Sequence, residues 1–217
     1  MNRDIPTAKA YRRRLLQAAR RQGAALALAG AVLAVAGLPA PARLALRFER
    51  DAVLSGELWR LLTAHLVHTG AQHLALNLTT LGLLVLLAPR GYWRCTRRRV
   101  LEFTAVCGLL TLGLLASRPD LGWYLGLSGA AHGLLVLVIL ELLRHHRLLA
   151  IVLASGLAAK LAVEQLWGAP ASTAALVGAP VIVDSHLLGA LAGLLTGITA
   201  RIAQRLRRRA PPPREGA

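Results

Sequence analysis

Acidic residues are scarce: ten Asp plus Glu stand against 26 Lys plus Arg in 217 residues. Charged residues together make up 17% of the chain, where an ordinary soluble domain carries about a quarter. A chain this poor in charge and 55% hydrophobic, with a mean hydropathy of +0.52, does not read as a water-soluble domain. Cysteine is almost missing as well. Of the two present, Cys95 falls in a loop and Cys107 within an apolar stretch, so no disulfide is expected. Neither CxxC nor HExxH spacing occurs, which leaves a metal or haem reading on His65, His68, His73, His132 and His186 without support. The absence of an internal repeat argues against a small transporter. No metal and no cofactor are expected.

The apolar residues are gathered in blocks near 23–38, 73–88, 100–117, 122–143, 148–166 and 181–200. Six such blocks predict an all-α, polytopic membrane protein. The formal charge of +16 could suggest nucleic acid, but its distribution points elsewhere. With these blocks taken as spans, twenty Lys and Arg fall on one side of the membrane and five on the other, with Lys160 inside the fifth span. That asymmetry fits six helices with both termini cytoplasmic, the basic segments meeting anionic headgroups rather than DNA. A basic region, an apolar stretch at 24–38 and small residues at Ala40 and Ala42 also resemble a signal peptide. The long Arg-rich lead and the need for a sixth span favour retention. The expected organisation is a basic N-terminal segment at 1–22, a six-helix membrane domain at 23–201 and a basic, Pro-rich tail at 202–217. The long first loop, residues 39–72, has the spacing of amphipathic helices lying in the interface.

Polar groups inside a bilayer are costly and usually functional. The stretch Gly122 to Leu143 reads as one helix-length run carrying Ser128 between Gly126 and Gly129 near its first turn. His73 and Asn77, four residues apart, share a face of the second span. The sixth span carries Asp184 and His186, then Gly189, Gly193 and Gly197 at every fourth position, a pattern that lets helices approach closely. Gly126, Gly129 and Gly133 offer a matching surface, so the fourth and sixth spans are expected to touch and bring Ser128 to His186. Spans two, four and six run in the same direction and end at Arg90, Arg144 and Arg201. Counted back from these, Asn77 lies 13 residues away, His186 15, Ser128 16 and His73 17. At about 1.5 Å per residue all four sit roughly 20–26 Å from the inner charges, in one polar layer of the outer leaflet. A serine hydroxyl with an imidazole base fits acyl transfer. His73, the Asn77 amide and the Ser128 backbone N–H are the candidate oxyanion donors. No carboxylate is evident as a third member, since Asp184 is too close in sequence to His186 to share its face. Lys160 and Glu164 read as an i, i+4 pair or as snorkelling side chains. A Ser–His dyad is therefore expected.

These residues resemble the rhomboid intramembrane serine proteases: Gly126-Leu-Ser128-Gly129, His73-x-x-x-Asn77, Glu57-Leu-Trp59-Arg60 and His186-x-x-Gly189-x-x-x-Gly193, in order, across roughly 23–201. The resemblance implies a six-helix rhomboid-like bundle, Ser128 as nucleophile, His186 as general base, His73 and Asn77 on the oxyanion, and Trp59 and Arg60 as structural. The Glu57 to His68 run and the Gly126-Leu-Ser-Gly-x-x-His132-Gly form of the serine motif further resemble the bacterial rhombosortase branch. That implies a protease of the bacterial inner membrane, its site open to the periplasm, acting on proteins with a C-terminal GlyGly-CTERM sorting helix. His132 stands where rhomboids often place an aromatic against the base, and packing is its expected role. Gly126, Gly129 and Gly189 support the site. A catalytically inactive rhomboid-like protein that binds transmembrane clients is the alternative. The partners expected are a transmembrane protein substrate and the lipid bilayer; the oligomeric state stays open.

Overall fold

The computed structural model describes residues 12, 17 and 19–209. Most of the basic lead at 1–22 and the tail beyond 209 lie outside the described residues. Helix α1 (Gly23–Ala36) leads into the long loop, which holds short helices α2 (Ala40–Leu44), α3 (Arg50–Leu54) and α4 (Arg60–Thr63) and a two-residue strand β1 (Phe48–Glu49). Then follow α5 (Ala71–Leu87), α6 (Thr96–Ser117), strand β2 (Trp123–Tyr124), α7 (Ser128–Leu142), α8 (Arg147–Trp167), α9 (Ala171–Val177) and α10 (Val183–Arg209). The protein is an all-α membrane bundle. Among the described residues, α6, α8 and α10 are long and apolar enough to cross a membrane. A fourth span arises if the segment Arg60–Leu66 is joined to α5 across a 94° bend, and α1 and α7 are shorter apolar helices.

Two boundaries differ from the sequence-based ones in ways that matter. The run from Gly122 is not one helix. Residues Trp123 and Tyr124 pair antiparallel with Glu49 and Phe48, and the helix starts only at Ser128. Gly126 takes φ +116°, a left-handed conformation that breaks any helix continued through it. The backbone N–H of Gly126 instead donates to the Ala64 carbonyl at 3.0 Å, which ties the turn to the long loop. The second difference is at the end. α10 runs on to Arg209 rather than stopping near Ala200, because the arginine-rich sequence there is helix-favouring and can remain solvated. The segment expected as a free tail from 202 therefore begins as helix.

The core is centred on α7, whose residues Gly129, Ala130, Ala131, Leu134, Leu137, Val138 and Leu142 are buried among its neighbours. α10 packs on it more extensively than any other helix, and then on α6. Glycine makes that possible. A Cβ on Gly133 would lie 2.6 Å from the Gly189 carbonyl oxygen, and one on Gly193 2.7 Å from the Gly133 Cα. No other residue fits at these crossings, so the two backbones meet directly, as the spacing of small residues predicts.

The long loop is held by its buried arginine. Arg60 Nε pairs with Glu57 at 2.6 Å while its Nη1 donates to the Arg47 carbonyl at 2.9 Å and the Leu44 carbonyl at 3.3 Å. One guanidinium thus ties together three turns of irregular chain, while Trp59 beside it is exposed. Beside the long loop, whose Arg50 donates to the Arg118 carbonyl at 3.0 Å, Arg118 bridges Asp120, at 2.7 Å, and Asp184, joining the loop after α6 to the start of α10. The Arg118 guanidinium holds the Asp120 carboxyl down at about 2.

Candidate active site

Helix α7 is short for a span. Its 15 residues cover roughly 22 Å, against a hydrocarbon core of about 30 Å. With its C-terminal end at the basic Arg144 turn, its N-terminus stops short of the opposite membrane surface. Free backbone N–H groups at that depth are tolerable only where they line a water-accessible space. Ser128 is the first residue of the helix, and a cavity of about 730 Å³ lies over it.

Ser128, His186, His73, Asn77 and His132 all line this cavity, from three helices. The spacing argument placed the first four at one depth, and the packing of α7 on α10 converts that depth into contact. Ser128 Oγ lies 3.2 Å from His186 Nε2. His186 is buried, and its ring is stacked against His132, with centroids 4.3 Å apart and planes 20° from parallel. His132 is itself fixed by Nδ1, which lies 2.7 Å from the Ser128 carbonyl one turn back.

The other imidazole nitrogen holds a surprise. His186 Nδ1 lies 2.9 Å from Glu164 Oε2, on α8. A carboxylate does therefore reach the base, where the sequence reading saw none well placed and took Glu164 as a partner of Lys160 or as a snorkelling side chain. That pairing is also present, with Lys160 Nζ 2.7 Å from the same oxygen. A signal for it was available. Glu164 lies 17 residues from Arg147, the inner end of its own span, so the depth count used on spans two, four and six would have put it in the same layer. Asp184 turns away towards Arg118, as its position two residues before His186 requires.

On the opposite wall, His73 and Asn77 are both buried. Asn77 Nδ2 donates to the His73 carbonyl at 3.1 Å, which uses one amide hydrogen and leaves the second for the cavity. His73 is anchored through Nδ1, 3.1 Å from Thr69 Oγ1, and His68 packs edge-on against its ring at 4.9 Å. The far edge of His73 lies over Gly126: a Cβ there would approach Cε1 to 2.9 Å. Gly126 is thus needed twice, for its backbone angle and for the space it leaves the ring. Gly129 is equally tight, a Cβ on it meeting the Ser185 carbonyl oxygen and the Tyr124 hydroxyl at 2.8 Å. Tyr124, which the sequence reading passed over, donates to the Gly126 carbonyl at 3.2 Å and so clamps the turn that presents Ser128.

His132, Glu164 and His186 have ligand-type atoms within 4.8 Å of one another. Near-parallel stacked rings direct their in-plane lone pairs side by side rather than towards a common point. The trio is accordingly better arranged for hydrogen bonding than for chelation. His65, fully buried against Tyr124, stands apart from it.

An apolar helical bundle that sets a half-buried serine against a buried histidine, on a largely apolar cavity, defines an integral membrane protein with a serine–histidine pair at its site. Comparison with family models agrees: the Rhomboid domain matches residues 55–202. The chain belongs to the rhomboid family, whose members are generally intramembrane serine proteases. The match begins inside the long loop and covers every cavity residue named above. No curated protein matches the chain.

Proposed function

We propose that this protein is an intramembrane serine endopeptidase in which Ser128 is the nucleophile and His186 the general base. The observation that carries the reading is the 3.2 Å approach of Ser128 Oγ to His186 Nε2 from two separate helices, inside an apolar bundle and on a cavity. His186 takes the hydroxyl proton as Oγ adds to the scissile carbonyl, then returns it to the leaving amine. Water entering the cavity repeats the sequence and releases the acyl group. The developing oxyanion is met by the Ser128 backbone N–H at the helix N-terminus and by Asn77 and His73.

The cavity reaches the gap between α5 and α8, where it is lined by Leu76, Thr80 and Val163, all of which also face outward. A transmembrane segment with a helix-destabilised stretch near the outer face would enter there, with α8 as the gating element. The rhombosortase-like motifs narrow the substrate class to C-terminal sorting helices of the GlyGly-CTERM kind. The site opens to the periplasmic side of a bacterial inner membrane, with both termini cytoplasmic.

The test is direct. A fluorophosphonate probe is expected to label the purified protein, and both Ser128→Ala and His186→Ala to lose labelling and turnover by at least about a thousandfold while remaining folded. Cleavage of a GlyGly-CTERM reporter by Ser128→Ala at the wild-type rate would refute the mechanism. A folded wild type that never labels and never cleaves, yet retains the reporter helix, would leave the inactive client-binding protein in its place.

A further inference from the structure

The hydrolytic reading needs only a serine and a histidine, yet the base has a third partner. We infer that Glu164 is a positioning residue for His186, extending the pair to a Ser128–His186–Glu164 relay, with Lys160 holding the carboxylate ionised. The inference rests on the protease reading and deepens it.

Each position on the imidazole is accounted for. An ionised carboxylate can only accept, so its contact at 2.9 Å places a proton on His186 Nδ1. Nε2 is then the lone-pair nitrogen, and it faces the Ser128 hydroxyl. The orientation needed to accept that proton is therefore set from the opposite side of the ring. His132 covers one face and blocks the ring from turning. The charged and titratable groups facing this point are few. Lys160 and Glu164 come from α8, and Ser128 and His132 from α7. On α10, Asp184 is engaged with Arg118.

The proton balance is simple. When Oγ attacks, its proton passes to Nε2 and the imidazole becomes a cation. The Nδ1 proton stays on the ring and Glu164 stays ionised. The cation is discharged when Nε2 protonates the leaving amine. A buried imidazolium without a counter-charge would be expensive in an apolar bundle. Glu164 supplies one, and in the resting enzyme Lys160, on the same oxygen, keeps Glu164 from being a lone buried anion. Lys160 is half-exposed, towards the cavity, and Glu164 is buried. The ionic pair therefore points from the cavity to the base.

A bare structural tie between α8 and α10 would give the same contact, so the test must separate the two roles. The measurement is the rate constant for labelling by a fluorophosphonate probe on the full-length protein in detergent, across pH, together with the unfolding midpoint. Glu164→Gln keeps the shape and a hydrogen-bond acceptor but removes the charge. It is expected to label at least about a hundredfold more slowly at neutral pH, the scale seen when such an orienting carboxylate is neutralised. The acidic limb of its rate profile is expected to move to lower pH, because the imidazolium has lost its neighbouring charge. Glu164→Asp should recover part of the rate, and Lys160→Met, an exposed change that does not threaten folding, should slow labelling several-fold. Wild-type rate and an unmoved profile in both Glu164→Gln and Lys160→Met, with Ser128→Ala unlabelled, would overturn the inference and leave the protease intact. Loss of labelling from the wild type itself would instead remove the reading on which it rests.

Discussion

His132 lies against the proposed base, and the geometry suits a packing role. Its Nδ1 is held by the Ser128 carbonyl, and its face lies on His186. A ring stack of this kind contributes about 0.5–1.5 kcal/mol beyond its buried area. His132→Ala is therefore expected to lower turnover by roughly two- to tenfold, through a less well oriented base. His132→Phe, which preserves the stacking surface, should keep most of the activity. Complete loss of turnover in a folded His132→Phe protein would show that the second imidazole moves protons. The stack on His186 was expected from the family resemblance, which places an aromatic at this position. For Glu164 only the depth was legible; its turn towards Nδ1 was not, and a pairing with Lys160 was sufficient to explain it.

At the scale of the element, the contact between α7 and α10 depends on glycines that differ sharply in tolerance. A methyl on Gly189 would be driven into the Gly129 carbonyl, and one on Gly133 lies 2.6 Å from the Gly189 carbonyl oxygen. Backbone atoms cannot step aside as a flexible side chain can. Gly189→Ala is expected to cost at least the ~1–3 kcal/mol typical of overpacking, and to lose activity as His186 moves away from Ser128. Gly82 on α5 has nothing within 4 Å of its would-be Cβ, so Gly82→Ala should be neutral or slightly stabilising. Unfolding midpoints and probe labelling of the two variants side by side check this. Equal midpoints would mean that the helices can separate without cost, against the close packing described here. The spacing of small residues foretold this contact. The late start of α7 was not foretold, because hydropathy cannot distinguish a buried extended strand from a buried helix and the pairing of β2 with β1 is a long-range event.

For the whole molecule, the consequence is polarity across the membrane. The cavity lies at the end carrying α9 and the long loop, opposite the Arg144 turn. The native cysteines make a convenient probe, since Cys95 is exposed in the loop before α6 and Cys107 is buried. A membrane-impermeant maleimide is expected to label Cys95 only in inverted vesicles. In a Ser172→Cys variant, the new thiol on the exposed face of α9 should react in intact spheroplasts. Labelling of both positions from the same side would contradict the orientation derived from the basic loops. That orientation is an expectation from the sequence alone, resting on the distribution of Lys and Arg, which is the physical signal for insertion.

What the chain alone determined is its class: apolar blocks of span length need a bilayer, basic loops orient them, and glycines every fourth residue select which helices approach. Those are short-range or one-dimensional properties, and a linear reading captures them. Which polar side chains finally meet is a different matter. The depth of Ser128, His186 and Glu164 can be counted along each helix, but the rotation that turns Glu164 inward to Nδ1 depends on how α8 rests against α10. That angle is fixed by packing summed over many side chains, and no single stretch of sequence carries it.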